Sequence, residues 1–262
     1  MSTVRDRLWL WGHDAGSHNA DWCLPEPSRI TPVEAAIYMA IPNVIMVRYN
    51  EAAMPASVQY SVPFRSLDQV VWSIVGGGGY TADEDREHVI KLARDLPNMN
   101  GVMMDDFFTG TDTEDGVGTL SLDELRHIRG LLDAACRPLD LWVVLYDHQL
   151  YLPVGKHLEL CDTIAFWTWE ASNLVNLEAN FARAEQIAPS CRKVLGCYMW
   201  DYGIKQPMRL NLMKHQCELG LRWLKEGRID GMIFLASCIC DLDLETVEWT
   251  RQWIQDVSDQ TL

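Results

Sequence analysis

Five apolar stretches of this chain run directly into carboxylates: Trp11-Gly12-His13-Asp14, Met104-Asp105-Asp106-Phe107, Tyr146-Asp147-His148, Trp167-Thr168-Trp169-Glu170 and Trp200-Asp201-Tyr202. A carboxylate at the end of an apolar segment must be solvated, paired or used. If several converge on one rim, they raise one another's pKa, which suits an acid catalyst. Asp105-Asp106 is the most informative pair. Adjacent strand residues face opposite sides, so only one can enter a pocket unless the strand has already ended. The next helix start is as far away as Ser121, which weakens a capping role for either. The catalytic candidates are therefore Asp105 and Asp106, with Glu170 or Asp201 as partner. Asp14 and Asp147 are the first candidates for capping a helix or pairing with Arg48.

The same segment ends carry broad aromatic faces: Trp11, Trp72, Trp167, Trp169 and Trp200, with Tyr49, Tyr146 and Tyr202. Sugar rings stack their C–H faces on aromatics, while their hydroxyls need carboxylates, amides or Arg, so a pocket with both properties suits a carbohydrate. The expected substrate-binding set is Trp11, Asp14, Arg48, Trp72, Tyr146, Trp167, Trp169, Trp200 and Tyr202. Stacking on substrate and plugging a core are equally compatible with the five tryptophans. Trp9 and Trp142 lie deeper in their segments and read as plugs.

Gly76–Gly79 could cradle a phosphate, but Asp83, Glu84 and Asp85 open the helix that follows and already use its positive N-terminus. A backbone turn beside the pocket is the better reading. His13, Asp14, Asp106, His148 and Asp201 could converge on a metal, yet no His-x-His or His-Glu-x-x-His spacing occurs. No metal or cofactor is expected.

The elements that must position these residues are eight apolar runs: Leu8–Trp11, Asn43–Tyr49, Val70–Val75, Gly101–Asp105, Leu139–Tyr146, Asp162–Trp167, Lys193–Trp200 and Asp230–Ala236. Helical patterns separate most of them, such as Leu210, Met213, Cys217, Leu221 and Leu224, or Leu177, Phe181, Ala184 and Ala188. Thr31-Pro32-Val33-Glu34, Thr81-Ala82-Asp83-Glu84 and Ser121-Leu122-Asp123-Glu124 predict capping boxes. Strands alternating with helices imply parallel pairing. Eight units in 262 residues predict an α/β fold, a single-domain (β/α)8 TIM barrel over residues 1–262, for which about 250 residues is typical. The rival is an open doubly wound sheet, but the first strand lacks the Gly-x-Gly-x-x-Gly turn of dinucleotide-binding sheets. Asn50–Arg65 has no helical period and reads as a loop over the pocket. Glu114–Gly118 falls in a second long, acidic loop.

A net charge of −15 argues against nucleic acid and anionic membranes as partners and is compatible with a neutral or cationic substrate. The polar start Met1–Arg7 has no signal-like apolar run, and no uncharged apolar stretch reaches the ~18 residues of a membrane span. The eight cysteines form no C-x-x-C pair and mostly sit in apolar segments, as buried thiols in a reducing compartment do. The expected location is cytoplasmic.

In Val102-Met103-Met104-Asp105-Asp106-Phe107, Trp167-Thr168-Trp169-Glu170 and Trp200-Asp201-Tyr202 the chain resembles a glycoside hydrolase barrel. It lacks the Asp-x-x-Asp-x-Asp-x-Glu of chitinase-type barrels and the Asn-Glu of the largest glycosidase clan, so the resemblance names no specific family. It implies hydrolysis or other processing of a glycosidic bond in a small-molecule or oligosaccharide substrate by two carboxylates. These would be held roughly 6.5–9.5 Å apart for inversion or about 5–5.5 Å for retention. A non-catalytic carbohydrate-binding barrel and a metal-dependent sugar isomerase or hydrolase are the alternatives.

Overall fold

A computed structural model describes residues 2–49, 58–108 and 117–262. Eight strands form a closed parallel barrel: β1 (Leu8–Gly12), β2 (Asn43–Met46), β3 (Gln69–Val75), β4 (Met99–Met104), β5 (Asp140–Tyr146), β6 (Thr163–Trp167), β7 (Arg192–Tyr198) and β8 (Gly231–Leu235). Each strand pairs with its neighbour in sequence, and β8 closes on β1 through registers such as Trp9 opposite Ile233. The open sheet is thereby excluded.

Helices α1 (Pro32–Met39), α2 (Val58–Ser61), α3 (Asp83–Leu92), α4 (Leu122–Asp133), α5 (Gly155–Leu158), α6 (Leu177–Ile187), α7 (Leu210–Lys225) and α8 (Glu245–Val257) alternate with the strands. Two of the three expected capping boxes form, at Thr31/Glu34 and Ser121/Glu124. The third does not. Ala82 occupies the N-cap of α3, and the Thr81 hydroxyl instead donates to the Ile74 carbonyl and accepts from Arg86. Of the expected pocket loop, residues 50–57 lie outside the described residues, and the remainder forms α2 and a 3-10 turn over Val62–Ser66. Residues 109–116 of the acidic loop also lie outside them.

Strand alternation sorts side chains between the barrel interior and the helix layer. Trp9, Gln69, Trp142, Thr163 and Val194 line a cavity of about 80 Å³ at the N-terminal end. The Trp9 and Trp142 rings meet edge to face at 5.1 Å and plug that end, as expected. Two- and four-residue steps from these positions reach Trp11, Tyr146, Trp167 and Tyr198 at the C-terminal end of the same strands. Trp72 is three residues from Gln69 and falls on the other face.

Strand β7 ends two residues sooner than the apolar run suggests. The Gln216 side chain of α7 takes the Tyr198 carbonyl and the Thr246 hydroxyl takes that of Met199, so the ladder stops there. Trp200–Asp201 then turns out of the barrel wall and pairs antiparallel with Gln206–Pro207. Among the described residues no helix is long and apolar enough to cross a membrane.

Candidate functional site

A cavity of about 230 Å³ opens at the C-terminal ends of the strands, where barrels of this kind place their chemistry. Its polar walls are Asp105, Asp106, His13 and His18. Its aromatic walls are Trp11, Trp22, Tyr49, Tyr146, Trp167, Trp169, Tyr198 and Tyr202, and Gly77, Gly78 and Leu235 complete it.

Strand β4 ends at Met104, and this lets both aspartates face the cavity. The Asp105 N–H still extends the β3 ladder by donating to the Val75 carbonyl (3.0 Å). Asp106 then adopts a left-handed backbone, φ 45°, a region Asp tolerates better than most residues. The Asp106 N–H donates to Asp105 Oδ1 at 3.0 Å. Asp106 Oδ1 accepts from the Tyr146 hydroxyl (2.8 Å), and its Oδ2 accepts from the Gly78 N–H (2.7 Å). Gly78 offers that N–H from a backbone at φ 74°, so the glycine run is a turn that grips Asp106. Gly76 is required as well, because a Cβ there would stand 2.7 Å from the Arg48 carbonyl oxygen.

Asp105 is only 6% exposed. Burial first, and the neighbouring Asp106 second, push its carboxyl well above the usual carboxylate range. Since Oδ1 is engaged by the Asp106 N–H, a proton on Asp105 belongs on Oδ2. Burial also holds the Tyr146 and Tyr198 phenols protonated, so Tyr146 remains a donor to Asp106. Removing that donor in Tyr146→Phe is expected to lower kcat/KM roughly 10- to 100-fold, the worth of a hydrogen bond to a charged group. An unchanged kcat/KM on a cleaved substrate would remove Tyr146 from the machinery.

The histidines are neutral for a structural reason. His13 Nε2 accepts the Trp11 indole N–H (3.1 Å), and Nδ1–H donates to the Val47 carbonyl (2.9 Å), which fixes one tautomer. Burial lowers the His13 pKa from 6.5 to about 4, and burial also pulls His18 well down. The unfolded chain therefore binds a proton in this window that the folded chain refuses, so stability drops on acidification. At His13 alone, acidification from pH 6.5 to 4 costs the folded state about 3 kcal/mol relative to the unfolded chain. Urea unfolding across that range should show a shallower fall for His13→Asn than for the wild type, whereas parallel curves would contradict it.

Of the sequence-predicted residues, the fold brings Asp105, Asp106, Trp11, Tyr146, Trp167, Trp169 and Tyr202 to one cavity. Tyr49 and His13 join them, but the remaining catalytic and substrate-binding candidates do not line it. Glu170 is exposed and Asp201 is buried beside the backbone N–H groups of Ala171, Gly203 and Ile204, with its carboxyl raised by burial. The outward turn after Tyr198 removes Asp201 from the rim, and Trp200 is buried with it. Asp14 is held by the Tyr60 hydroxyl. Arg48 pairs with Asp85 at 2.6 Å. Trp72 packs outward against Phe64 (5.0 Å) and Tyr60 (6.2 Å), as strand parity requires. Asp147 accepts from the Trp169 N–H and the Asn173 amide and pins the loop after β6.

Sequence reasoning missed His18, Trp22 and Tyr198. Tyr198 is in step with Val194 and Gly196, and ending β7 there would have revealed it. His18 and Trp22 come from the long connection between Gly12 and Pro32, whose length at the C-terminal ends of the strands was the available signal. That loop is tied down by Trp22 Nε1–H to the Tyr49 hydroxyl (2.8 Å), Tyr49 to Asp21 (2.8 Å), and Tyr202 with His18 Nδ1 (3.2 Å). Among the described residues no three His, Cys, Asp or Glu side chains gather into a metal-holding group.

No protein-family model matches the chain, and no curated protein matches it in sequence. The chain superposes on solved structures named for different activities. A candidate α-L-fucosidase from Bacteroides thetaiotaomicron superposes with a TM-score of 0.60 at 11% identity, over 98% of this chain and 97% of that one. A xylanase–α-amylase inhibitor protein, solved with trehalose, gives 0.60 at 12% identity over 96% and 98%. A β-D-glucuronidase from Dictyoglomus thermophilum gives 0.56 at 7% identity over 96% of this chain and 51% of that one. At these identities the likeness concerns the fold.

Proposed function

We propose that the protein processes a glycosidic bond, with Asp105 as proton donor and Asp106 as its charged partner. The observation that carries this reading is a buried aspartate with a raised pKa, next to a second aspartate, at the end of β4 in an aromatic pocket. A protonated Asp105 Oδ2 can give its proton to the leaving oxygen as the glycosidic C–O bond breaks, and water then adds to the anomeric carbon and returns a proton to the Asp105 carboxylate. Asp106, with both oxygens already accepting, favours positive charge developing on the sugar. The aromatic walls provide C–H stacking surfaces, and the cavity volume suits one sugar ring better than a long chain. Glu170 and Asp201 have no part in this version, because neither lines the cavity.

A second reading, a carbohydrate-binding barrel without turnover, is favoured by one observation. Among the described residues, no carboxylate faces the Asp105–Asp106 pair from the opposite wall at glycosidase spacing. One of the structural neighbours is an inhibitor protein, solved with trehalose. A panel of aryl glycosides and oligosaccharides separates the two readings. Turnover that vanishes in both Asp105→Asn and Asp106→Asn supports the enzyme, and heat of binding without product supports the binder. Full turnover in both variants would sink the mechanism. Eight unpaired cysteines, six of them buried, fit a reducing compartment such as the cytoplasm.

A further inference from the structure

The pocket contains two carboxylates and, among the described lining residues, no lysine or arginine. Its two histidines do not balance the charge, since His13 is locked neutral by Trp11 and Val47 and burial disfavours a proton on His18. The nearby cations are engaged elsewhere. Arg48 is paired with Asp85, and Lys205 Nζ lies over the Trp22 ring, 5.1 Å from its centroid, on an exposed side chain. Asp105 Oδ2 takes no hydrogen bond from any described residue, although the side chain is 94% buried and lines the cavity. The surrounding rings are close enough to act together: Tyr146 and Trp169 lie 5.6 Å apart, and Trp167 and Tyr198 4.8 Å. The Asp106 carboxylate, beside the protonated Asp105 and walled by aromatic faces, favours a cation over a neutral group of the same size, through both ion pairing and cation–π attraction.

We propose that the pocket selects a sugar bearing a free, protonated amino group, whose ammonium sits against the Asp106 carboxylate, beside Asp105, among Tyr146, Trp167, Trp169 and Tyr198. This rests on the carbohydrate reading above and gives it a substrate class. An amino sugar supplies the missing positive charge beside Asp106 and can accept the Asp105 Oδ2 proton on a ring or hydroxyl oxygen, while its ring stacks on the indoles. Acylation of the nitrogen removes that charge and adds bulk to a small cavity. The chain's net charge of −15 draws the same class of ligand toward the protein.

Calorimetry on the intact chain with three matched sets tests this: glucosamine, glucose and N-acetylglucosamine, the corresponding galactose series, and short chitosan and chitin oligomers. The expected result is that the amine form binds at least tenfold more tightly than its hydroxyl and N-acetyl counterparts. That preference should collapse in Asp106→Asn and persist in Asp105→Asn, both checked as folded by circular dichroism, and shrink with added salt in the wild type. Neutral or N-acetylated sugars binding as tightly as the amines would overturn the amine selection and leave the carbohydrate reading standing. Absence of binding by every sugar would overturn both. If neither variant folds, the salt series decides, and a preference unmoved by salt counts against the proposal.

Discussion

Asp105→Asn is expected to abolish most turnover and, at the same time, to make the protein more stable at neutral pH. As a positioned general acid, Asp105 should be worth about 10²- to 10⁴-fold in rate. Asparagine retains the shape, and its oxygen can still accept from the Asp106 N–H, but its amide has no proton to give. The stability effect follows from the raised carboxyl pKa. Above the ordinary aspartate value of about 3.9, the unfolded chain releases a proton that the folded chain retains. Wild-type stability therefore falls as pH rises from that value through the raised one, and the asparagine variant lacks this loss. Its advantage in urea midpoint should be small near pH 4 and grow toward neutrality. The trend is the observable, and not a single midpoint. The trend runs opposite to that from His13, so the wild-type curve is the sum of two opposed slopes and only the variants separate them. A variant that stays active, or an advantage that shrinks as pH rises, would refute the assignment.

The second large effect is expected at Gly196, in the middle of β7. A Cβ there would lie 2.1 Å from Cδ2 and 2.2 Å from Cε3 of the Trp167 indole. That ring cannot yield easily, since it meets Trp11 edge to face at 5.5 Å and packs on Tyr198 at 4.8 Å. Overpacking of this sort typically costs about 1–3 kcal/mol, and a rigid ring surrounded by rings places Gly196→Ala toward the upper end. Trp167 is also a wall of the cavity, so sugar binding should weaken together with stability. Gly130→Ala provides the contrast. Apart from its chain neighbours and the backbone of its own helix, no described atom lies within 4 Å of the added methyl, and the position is inside α4. It should stabilise by about 0.5–1 kcal/mol through helix propensity alone. A Gly196→Ala protein with wild-type melting and intact sugar affinity would show that the interior around Trp167 is looser than the structure indicates.

The barrel was legible because its signals are local and repeated. The eight apolar runs became the eight strands with ends displaced by a few residues, and the Thr31 and Ser121 boxes capped the helices they precede. Trp9, Trp142 and the glycine turn were also readable, since depth within a strand and the acidic helix start after Gly79 depend on sequence position alone. The Asp105-Asp106 pair stood out for the same reason.

The composition of the rim was a different matter. Being at a strand end says nothing about side-chain direction, which a one-residue change in parity or strand length reverses. Trp72 lies three residues from an inward position and faces the helices. Asp201 lies beyond a strand that two helix side chains terminate early. Asp14 and Arg48 were drawn away by Tyr60 and Asp85, partners distant in sequence. His18 and Trp22 entered from a loop whose path no periodicity describes. By itself, then, the sequence determined an eight-unit barrel with an aspartate pair at the end of its fourth strand, because hydrophobic alternation and capping are encoded within a few residues. Only the tertiary structure decided which acids and rings share the cavity with that pair, because long-range pairing, strand termination and loop closure set where each side chain points.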